Sequence, residues 1–204
     1  MIEAIFFDFG GVVGQLNREM VKQLESDYGL PKNGLFKALY GTPEWRAAEI
    51  GKGSQKKWLE AAARALEEMA NTRKPAGVQE IASQIWGGHD EDVVRLIQRL
   101  NGRYLVGMLS NSTKRLEKQL LDRDGIRSMF DVVINSARVG VAKPDVRIYR
   151  KAAEMIGAEP AACIHIDDLE DNVRGARDAG FAAIHHQGDY AALERELRAL
   201  GVEW

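Results

Sequence analysis

The stretch Ile2-Glu-Ala-Ile-Phe-Phe-Asp-Phe-Gly-Gly-Val-Val13 starts apolar, meets a carboxylate at Asp8 and breaks at Gly10-Gly11. A short apolar run from Ile2 to Phe7, closed by a glycine pair, reads as a buried strand ending in a loop. Asp8 then stands at the carboxyl end of that strand.

Working outward, the segment from about Gln15 to Trp86 reads as helical and loop-like, punctuated by Pro31 and Gly51-Lys-Gly53. Its clearest helix runs from Lys56 to Ala70. Trp58, Ala62, Ala65, Leu66 and Met69 share one side of it, and Ser54 is placed to cap its start. Beyond this block the pattern alternates strand and helix. A helical stripe over Asp90 to Leu100 precedes a strand from Tyr104 to Leu109 and a helix from Thr113 to Leu121. A short strand, Val132 to Ile134, is followed by a helix from Asp145 to Ile156 and a strand from Ala162 to Ile166. A helix from Asn172 to Ala179 with Gly180 as its cap, a strand from Phe181 to Ile184 and a helix from Tyr190 to Leu200 complete the series.

Such alternation predicts an α/β fold, a Rossmann-like parallel sheet with helices on both faces. The expected division is a core of residues 1–14 and 87–204, with the helical unit 15–86 inserted after the first strand, over the ligand-binding edge of the sheet.

Composition narrows the function classes. The chain has 204 residues, with hydrophobic and charged fractions of 45% and 28% that are ordinary for a globular protein. Twenty-eight basic residues oppose thirty acidic ones. That balance gives no electrostatic case for nucleic acid or a membrane as partner. No apolar run approaches the roughly 18–20 residues of a membrane span. The start, Met1-Ile2-Glu3, has no basic region before its apolar stretch and reads against a signal peptide. Cys163 is the only cysteine, which suits a reducing compartment, and the expected location is cytoplasmic. No signal for an oligomeric state was found.

In open parallel sheets, ligands bind beyond the carboxyl ends of the strands. Asp8, the pair Ser110-Asn111 and the pair Asp167-Asp168 all fall at such ends, and Lys143 lies in the loop after Ile134. Clustered carboxylates repel one another unless a cation neutralises them, and oxygen ligands favour a hard ion such as Mg²⁺. A carboxylate can attack phosphorus to form an aspartyl-phosphate, and an ammonium and a hydroxyl suit phosphoryl oxygens.

Four segments carry a resemblance. Phe6-Phe-Asp-Phe-Gly-Gly-Val-Val13, Leu109-Ser-Asn111, Val141-Ala-Lys-Pro144 and His165-Ile-Asp-Asp-Leu-Glu-Asp-Asn-Val-Arg-Gly-Ala176 resemble the four ordered motifs of the haloacid dehalogenase superfamily. The first is similar to the Asp-x-Gly-x-Val form found in its helical-cap branch, subfamily I. The inserted block resembles the family's cap in position and size only. The resemblance implies Asp8 as nucleophile and Mg²⁺ ligand, Asp168 as the second carboxylate ligand, and Asp167 as a direct or water-mediated one. It implies that Ser110 and Lys143 hold phosphoryl oxygens, that Lys143 also steadies Asp8, that Asn111 contributes its backbone N–H, and that Asn172 supports the site from behind.

One position departs from the family pattern. Its phosphatases usually carry a second aspartate two residues after the nucleophile, to protonate the leaving group and activate water. Here that position is Gly10, which can still offer its carbonyl oxygen to Mg²⁺. A missing acid/base is worth about 10²–10⁴-fold in rate. It predicts a preference for good leaving groups, such as those of sugar-1-phosphates.

Other residues keep two readings. Asp171 and Asn172 either serve the site or merely begin a helix. Trp45, Arg46 and Glu49 either line a substrate pocket or pack and solvate the inserted block. His89 is a hinge candidate, His165 reads as a packed strand residue, His185 and His186 carry no assigned chemistry, and Lys143–Pro144 is a candidate cis bond. The leading expectation is a Mg²⁺-dependent phosphatase for a small phosphorylated metabolite. A 2-haloacid dehalogenase and a catalytically weak phospho-ligand or partner binding module are the alternatives.

Overall fold

The structure, a computed structural model, describes residues 1–72, 74–116 and 125–204. Five parallel strands form the main sheet: β1 (Ala4–Phe7), β4 (Leu105–Ser110), β5 (Val132–Asn135), β6 (Cys163–Asp167) and β7 (Ala182–His185). Their order is β5-β4-β1-β6-β7, with β1 at the centre. Each strand presents alternate residues to opposite faces. Ile5, Phe7, Val106, Met108, Ile164 and Ile166 pack with α6 (Glu91–Leu100) and α10 (Tyr190–Ala199). Ala4, Phe6, Leu109 and Cys163 pack with α8 (Val146–Ile156) and α9 (Glu170–Asp178) on the other side. The expected doubly covered sheet is therefore present.

Register places the chemistry. Phe7 lies level with Met108 on β4 and with Ile166 on β6. One residue further, Asp8 comes level with Leu109 and Asp167, while Ser110 and Asp168 project one step beyond. Three neighbouring strands thus deliver their polar residues to a single edge. Gly107 allows this packing, because a Cβ there would run into the Phe6 ring.

Among the described residues, five helices stand between β2 (Gly14–Leu16) and β3 (Trp86–His89): α1 (Arg18–Tyr28), α2 (Gly34–Tyr40), α3 (Pro43–Glu49), α4 (Gln55–Met69) and α5 (Val78–Ile85). They bury a cluster of their own around Leu24, Leu35, Leu39, Leu66, Ile81 and Ile85. The Ser54 hydroxyl accepts from Lys57 N at 3.3 Å and caps α4 as expected. Asp90 and Asp145 likewise cap α6 and α8.

The sequence reading needs correction where the chain enters and leaves this block. β2 and β3 pair antiparallel, with Gly14 opposite His89 and Leu16 opposite Trp86, so a two-stranded ribbon straddles both expected boundaries. Strands of three and four residues, one containing Gly87-Gly88, carry no readable alternation. A four-residue helix, α7 (Ser136–Val139), also follows β5 without a signal in the sequence. The helix expected over Thr113 to Leu121 runs into 117–124, outside the described residues. Among the described residues no helix is long and apolar enough to cross a membrane. The Lys143–Pro144 bond is cis.

Candidate active site

Asp8 leaves β1 into a tight turn. Its Oδ1 accepts from Phe9 N at 2.7 Å, and Val13 N and Gly14 N close the turn onto Asp8 O and Phe9 O. Gly11 sits at φ 75°, and Asp168 Oδ2 occupies the space a Cβ there would need. Glycine is required on both counts. At Gly10 the neighbour is different. A Cβ would lie 3.2 Å from Cη2 of Trp86, so the β3 indole fills the direction a side chain would take.

Lys143 is fully buried below Asp8. Its Nζ donates to Leu109 O at 2.8 Å and to Asp167 Oδ2 at 2.5 Å, and lies 3.0 Å from Asp8 Oδ1. All three ammonium protons are thereby used. Burial works against the charge, but Asp167 and Asp8 outweigh it and raise the Lys143 pKa. The backbone of Lys143 is held by Asn111, whose Nδ2 donates to Lys143 O at 2.9 Å while its Oδ1 accepts from Lys143 N at 2.8 Å. The side chain of Asn111 thus fixes the lysine loop, a task the sequence reading, which invoked only its backbone N–H, did not assign.

Asp167 has no solvent exposure. Oδ2 accepts from Lys143 and from His165 Nε2 at 2.9 Å; Oδ1 accepts from Leu169 N at 2.9 Å and Asn172 Nδ2 at 3.0 Å. Burial raises its pKa, but Lys143 and His165 prevail and hold it well below the usual carboxylate range. The carboxylate only accepts, so the His165 ring carries its proton on Nε2. Burial keeps that ring neutral by lowering its pKa. Tyr149 donates its hydroxyl to Asn172 O at 2.7 Å and completes the support. His165 and Tyr149 were invisible as site residues because both look like ordinary core.

Asp168 faces the open side of the site, 3.7 Å from Arg18, and its carbonyl oxygen accepts from His185 Nε2 at 3.0 Å. Burial pushes its pKa up to about 6, with Asp167 adding to the effect and Lys143 and Arg18 opposing it. For Asp8, burial raises the pKa, Lys143 lowers it, and Asp167 and Asp168 push it on to about 7. Oxygens of Asp8, Asp167 and Asp168 lie within 4.8 Å of one another. Three converging carboxylates, two of them drawn towards protonation, are the donor set that a hard divalent cation relieves. Asp167 already meets four protein donors, so the oxygens left for an ion belong to Asp8 and Asp168.

Ser110 is buried at the end of β4. The segment after it is pinned from β5 and α7: Ser136 Oγ accepts from Ser112 N at 3.0 Å, and Asn135 Nδ2 donates to Thr113 O at 2.9 Å. Asp171 is exposed and, among the described residues, pairs with Arg174 across one turn, so it stays outside this arrangement, whereas Asn172 belongs to it.

A cavity of about 850 Å³ opens above these groups. Asp8, Gly10, Ser110, Lys143 and Asp168 form its floor, and Tyr40, Trp45, Trp58, Trp86 and Glu49 face it from the helical block and the ribbon. Trp45 packs on Tyr40 and Trp58 with ring centroids 4.9 and 4.8 Å apart. Trp45 and Glu49 therefore follow the pocket reading, and Arg46 follows the solvated one. His89 sits on the ribbon opposite Gly14.

A parallel sheet whose edge gathers three carboxylates and a buried lysine is a site suited to hydrolase chemistry. A family model described as haloacid dehalogenase-like hydrolase matches residues 2–180, and the chain belongs to that family. It is 39% identical over 100 residues to phosphatase MT3486 of Mycobacterium tuberculosis, covering 47% of this chain and 46% of that protein. It is 30% identical over 102 residues to a glyceraldehyde 3-phosphate phosphatase of Methanothermobacter thermautotrophicus, covering 50% and 45%. These matches span about half the length of either relative. In fold it is similar to a haloacid dehalogenase family enzyme of Bacteroides thetaiotaomicron solved with magnesium and inorganic phosphate, with a TM-score of 0.70 at 19% identity, covering 95% of this chain and 99% of that one.

Proposed function

We propose that this hydrolase is a Mg²⁺-dependent phosphatase of a small phosphorylated metabolite, sugar phosphates included, and that it works through an aspartyl-phosphate on Asp8. The observation that carries this reading is the Lys143 ammonium bound between Asp8 and Asp167 at the floor of a cavity partly roofed by the helical block. The phosphatases among its relatives support it.

Asp8 and Asp168, with the Gly10 carbonyl, would hold Mg²⁺, and Asp167 would keep the lysine in place. Mg²⁺, when bound, neutralises charge on the transferring phosphoryl group. The protein's own groups do the rest. Phe9 N–H and Lys143 fix Asp8 Oδ1, which leaves Oδ2 to attack phosphorus in line. Lys143, the Ser110 hydroxyl and the Asn111 N–H meet the equatorial oxygens as charge develops. Water then hydrolyses the aspartyl-phosphate. Residues 15–86 act as the cap, which excludes bulk water and selects the substrate. A cavity of about 850 Å³ suits a metabolite-sized substrate.

The alternatives fit less well. A metal-free dehalogenase gains nothing from three converging carboxylates, and a pure binding module has no use for a nucleophile ion-paired to a buried lysine. Phosphate release from a panel of sugar-1-phosphates, sugar-6-phosphates, nucleotides and nitrophenyl phosphate tests the proposal. Release that requires Mg²⁺, stops with chelator and is lost in Asp8→Asn is the expected result. Halide release from a 2-haloacid without metal, or no turnover of any ester, overturns it.

A further inference from the structure

Position 10 cannot carry the acid/base found elsewhere in the family without moving Trp86, whose ring lies 3.2 Å from where a Cβ would stand. A proton for the leaving group must then come from another wall of the cavity. Among the described lining residues the other titratable groups are Asp8, Asp168, Lys143, Arg18, Arg115, Tyr40 and Glu49. The first three are committed to the floor. The guanidinium groups of Arg18 and Arg115 do not give up protons. Tyr40 is half-buried, desolvation raises its pKa above the ordinary phenol value, and its oxygen accepts from Trp86 Nε1 at 3.2 Å. Glu49 remains.

Glu49 is only 7% exposed, which is unusual for a glutamate, and it faces the cavity from the last turn of α3. That helix is well anchored. Thr42 Oγ1 accepts from Trp45 N at 3.1 Å at its start, and Trp45 wedges against Tyr40 and Trp58. Beyond its end, Gly51 at φ 73° presses on the core, where a Cβ would collide with the Ala137 carbonyl. The helix end that bears Glu49 is thus docked against α7, next to the segment following Ser110. Burial raises the Glu49 pKa to about 6, against Arg46 and a hydrogen bond to Trp45, so the group exchanges protons close to neutral pH.

Resting on the phosphatase reading, we propose that Glu49 is the general acid and base that position 10 lacks, supplied by the helical block. Its carboxylic acid gives a proton to the ester oxygen as that oxygen's bond to phosphorus breaks and the bond from Asp8 to phosphorus forms. The alcohol leaves neutral. The Glu49 carboxylate then takes a proton from water as the water oxygen bonds phosphorus and the bond to Asp8 breaks. Inorganic phosphate departs, and both carboxyl groups return to their starting states. This removes the restriction to good leaving groups that Gly10 alone predicts.

The test is a series of aryl phosphates whose leaving groups run from nitrophenolate to plain phenolate, assayed with Mg²⁺. For the native protein kcat/KM depends weakly on the leaving group. In Glu49→Gln, kcat/KM for phenyl phosphate falls by about 10²–10⁴-fold. Its kcat/KM for nitrophenyl phosphate falls far less, so the dependence becomes steep. The same variant releases one equivalent of nitrophenolate in a burst and then stalls as the aspartyl-phosphate, since its water is no longer activated. Glu49→Asp keeps an acid and restores the shallow dependence at a lower rate. An equal loss across the series, or a rise in KM with kcat intact, makes Glu49 a binding or packing residue and overturns the proposal. A native protein inactive on every ester instead removes the phosphatase reading itself, and this inference with it.

Discussion

The Lys143 ammonium lies closer to Asp167 than to Asp8, at 2.5 against 3.0 Å. The buried charge is thus balanced first by a carboxylate that faces no solvent, and this leaves Asp8 the more loosely held partner. Removing one member of a buried ion pair costs about 3–5 kcal/mol, because the other is left uncompensated. Asp167→Ala is therefore expected to lower the unfolding free energy by that amount in urea titrations. Activity should fall about 100-fold or more as Lys143 shifts. Asp171→Ala is the control. Its exposed pair with Arg174 is of the kind worth about 0–1 kcal/mol.

The raised carboxyl groups predict how stability depends on pH without metal. Asp8 titrates at about 7 and Asp168 at about 6 in the folded chain, against about 3.9 for an unfolded aspartate. At these two groups the folded state holds more protons than the unfolded one between these limits, so their share of the stability falls as pH rises, while His165 and His186, whose pKa values burial lowers, run the other way. The contribution is full below about pH 4 and is lost by pH 7. Asp167 runs the other way, but its stabilisation is lost only at pH values below the unfolded pKa and does not vary across this window. In chelator, Tm should therefore fall more, or rise less, from pH 5 to pH 8 in the native protein than in Asp8→Asn, which lacks the titrating carboxyl, in thermal melts. Mg²⁺ should raise Tm more at pH 8 than at pH 5, because protonated carboxyl groups compete with the ion. A Mg²⁺ effect independent of pH would detach the ion from these two groups.

Much of this site could be read from the chain because each motif sits where a strand ends, and strand ends are marked by an apolar run followed by a polar residue. Asp8, Ser110, Asp167 and Asp168 announce themselves in that way, and Lys143 is legible from its place in the Val141-Ala-Lys-Pro144 segment of the loop after β5. Asn111, His165 and Tyr149 do not, since their roles depend on which neighbour a side chain reaches across the sheet edge. His165 even follows the strand's own alternation and looks like packing. The β2–β3 ribbon was hidden for a different reason. Its pairing joins residues some 70 positions apart, and nothing local in Gly14–Leu16 or Trp86–His89 specifies it. With the ribbon hidden, so was the contact between Trp86 and Gly10.

Asn111 offers a clean separation of positioning from charge. It carries none, yet its two hydrogen bonds set the backbone of Lys143. Asn111→Ala loses both and is expected to cost about 1–3 kcal/mol of stability. Kinetically it should lower kcat/KM about 10- to 100-fold, since small displacements of a positioned group are expensive in rate. If Lys143 were held by its ion pairs alone, the variant would match the native protein in steady-state assays.

Gly10 and Trp86 make a reciprocal pair, and that reciprocity can be measured. Gly10→Asp supplies the carboxylate the family usually has at this point, but its Cβ meets Cη2 of Trp86. The indole, whose Nε1 donates to the Tyr40 hydroxyl at 3.2 Å, must give by a few tenths of an ångström, and a charge would be pushed among aromatic rings. The single variant should therefore be less stable than the native protein, with a shift in tryptophan fluorescence that reports the moved ring. Trp86→Ala opens the space at the cost of its own packing. In the double variant the aspartate has room, so the two losses should sum to more than the measured total, with a coupling of about 0.5–3 kcal/mol typical of residues in contact. Additive losses would mean that the indole yields without resistance, and the glycine would then have no structural cause in this contact.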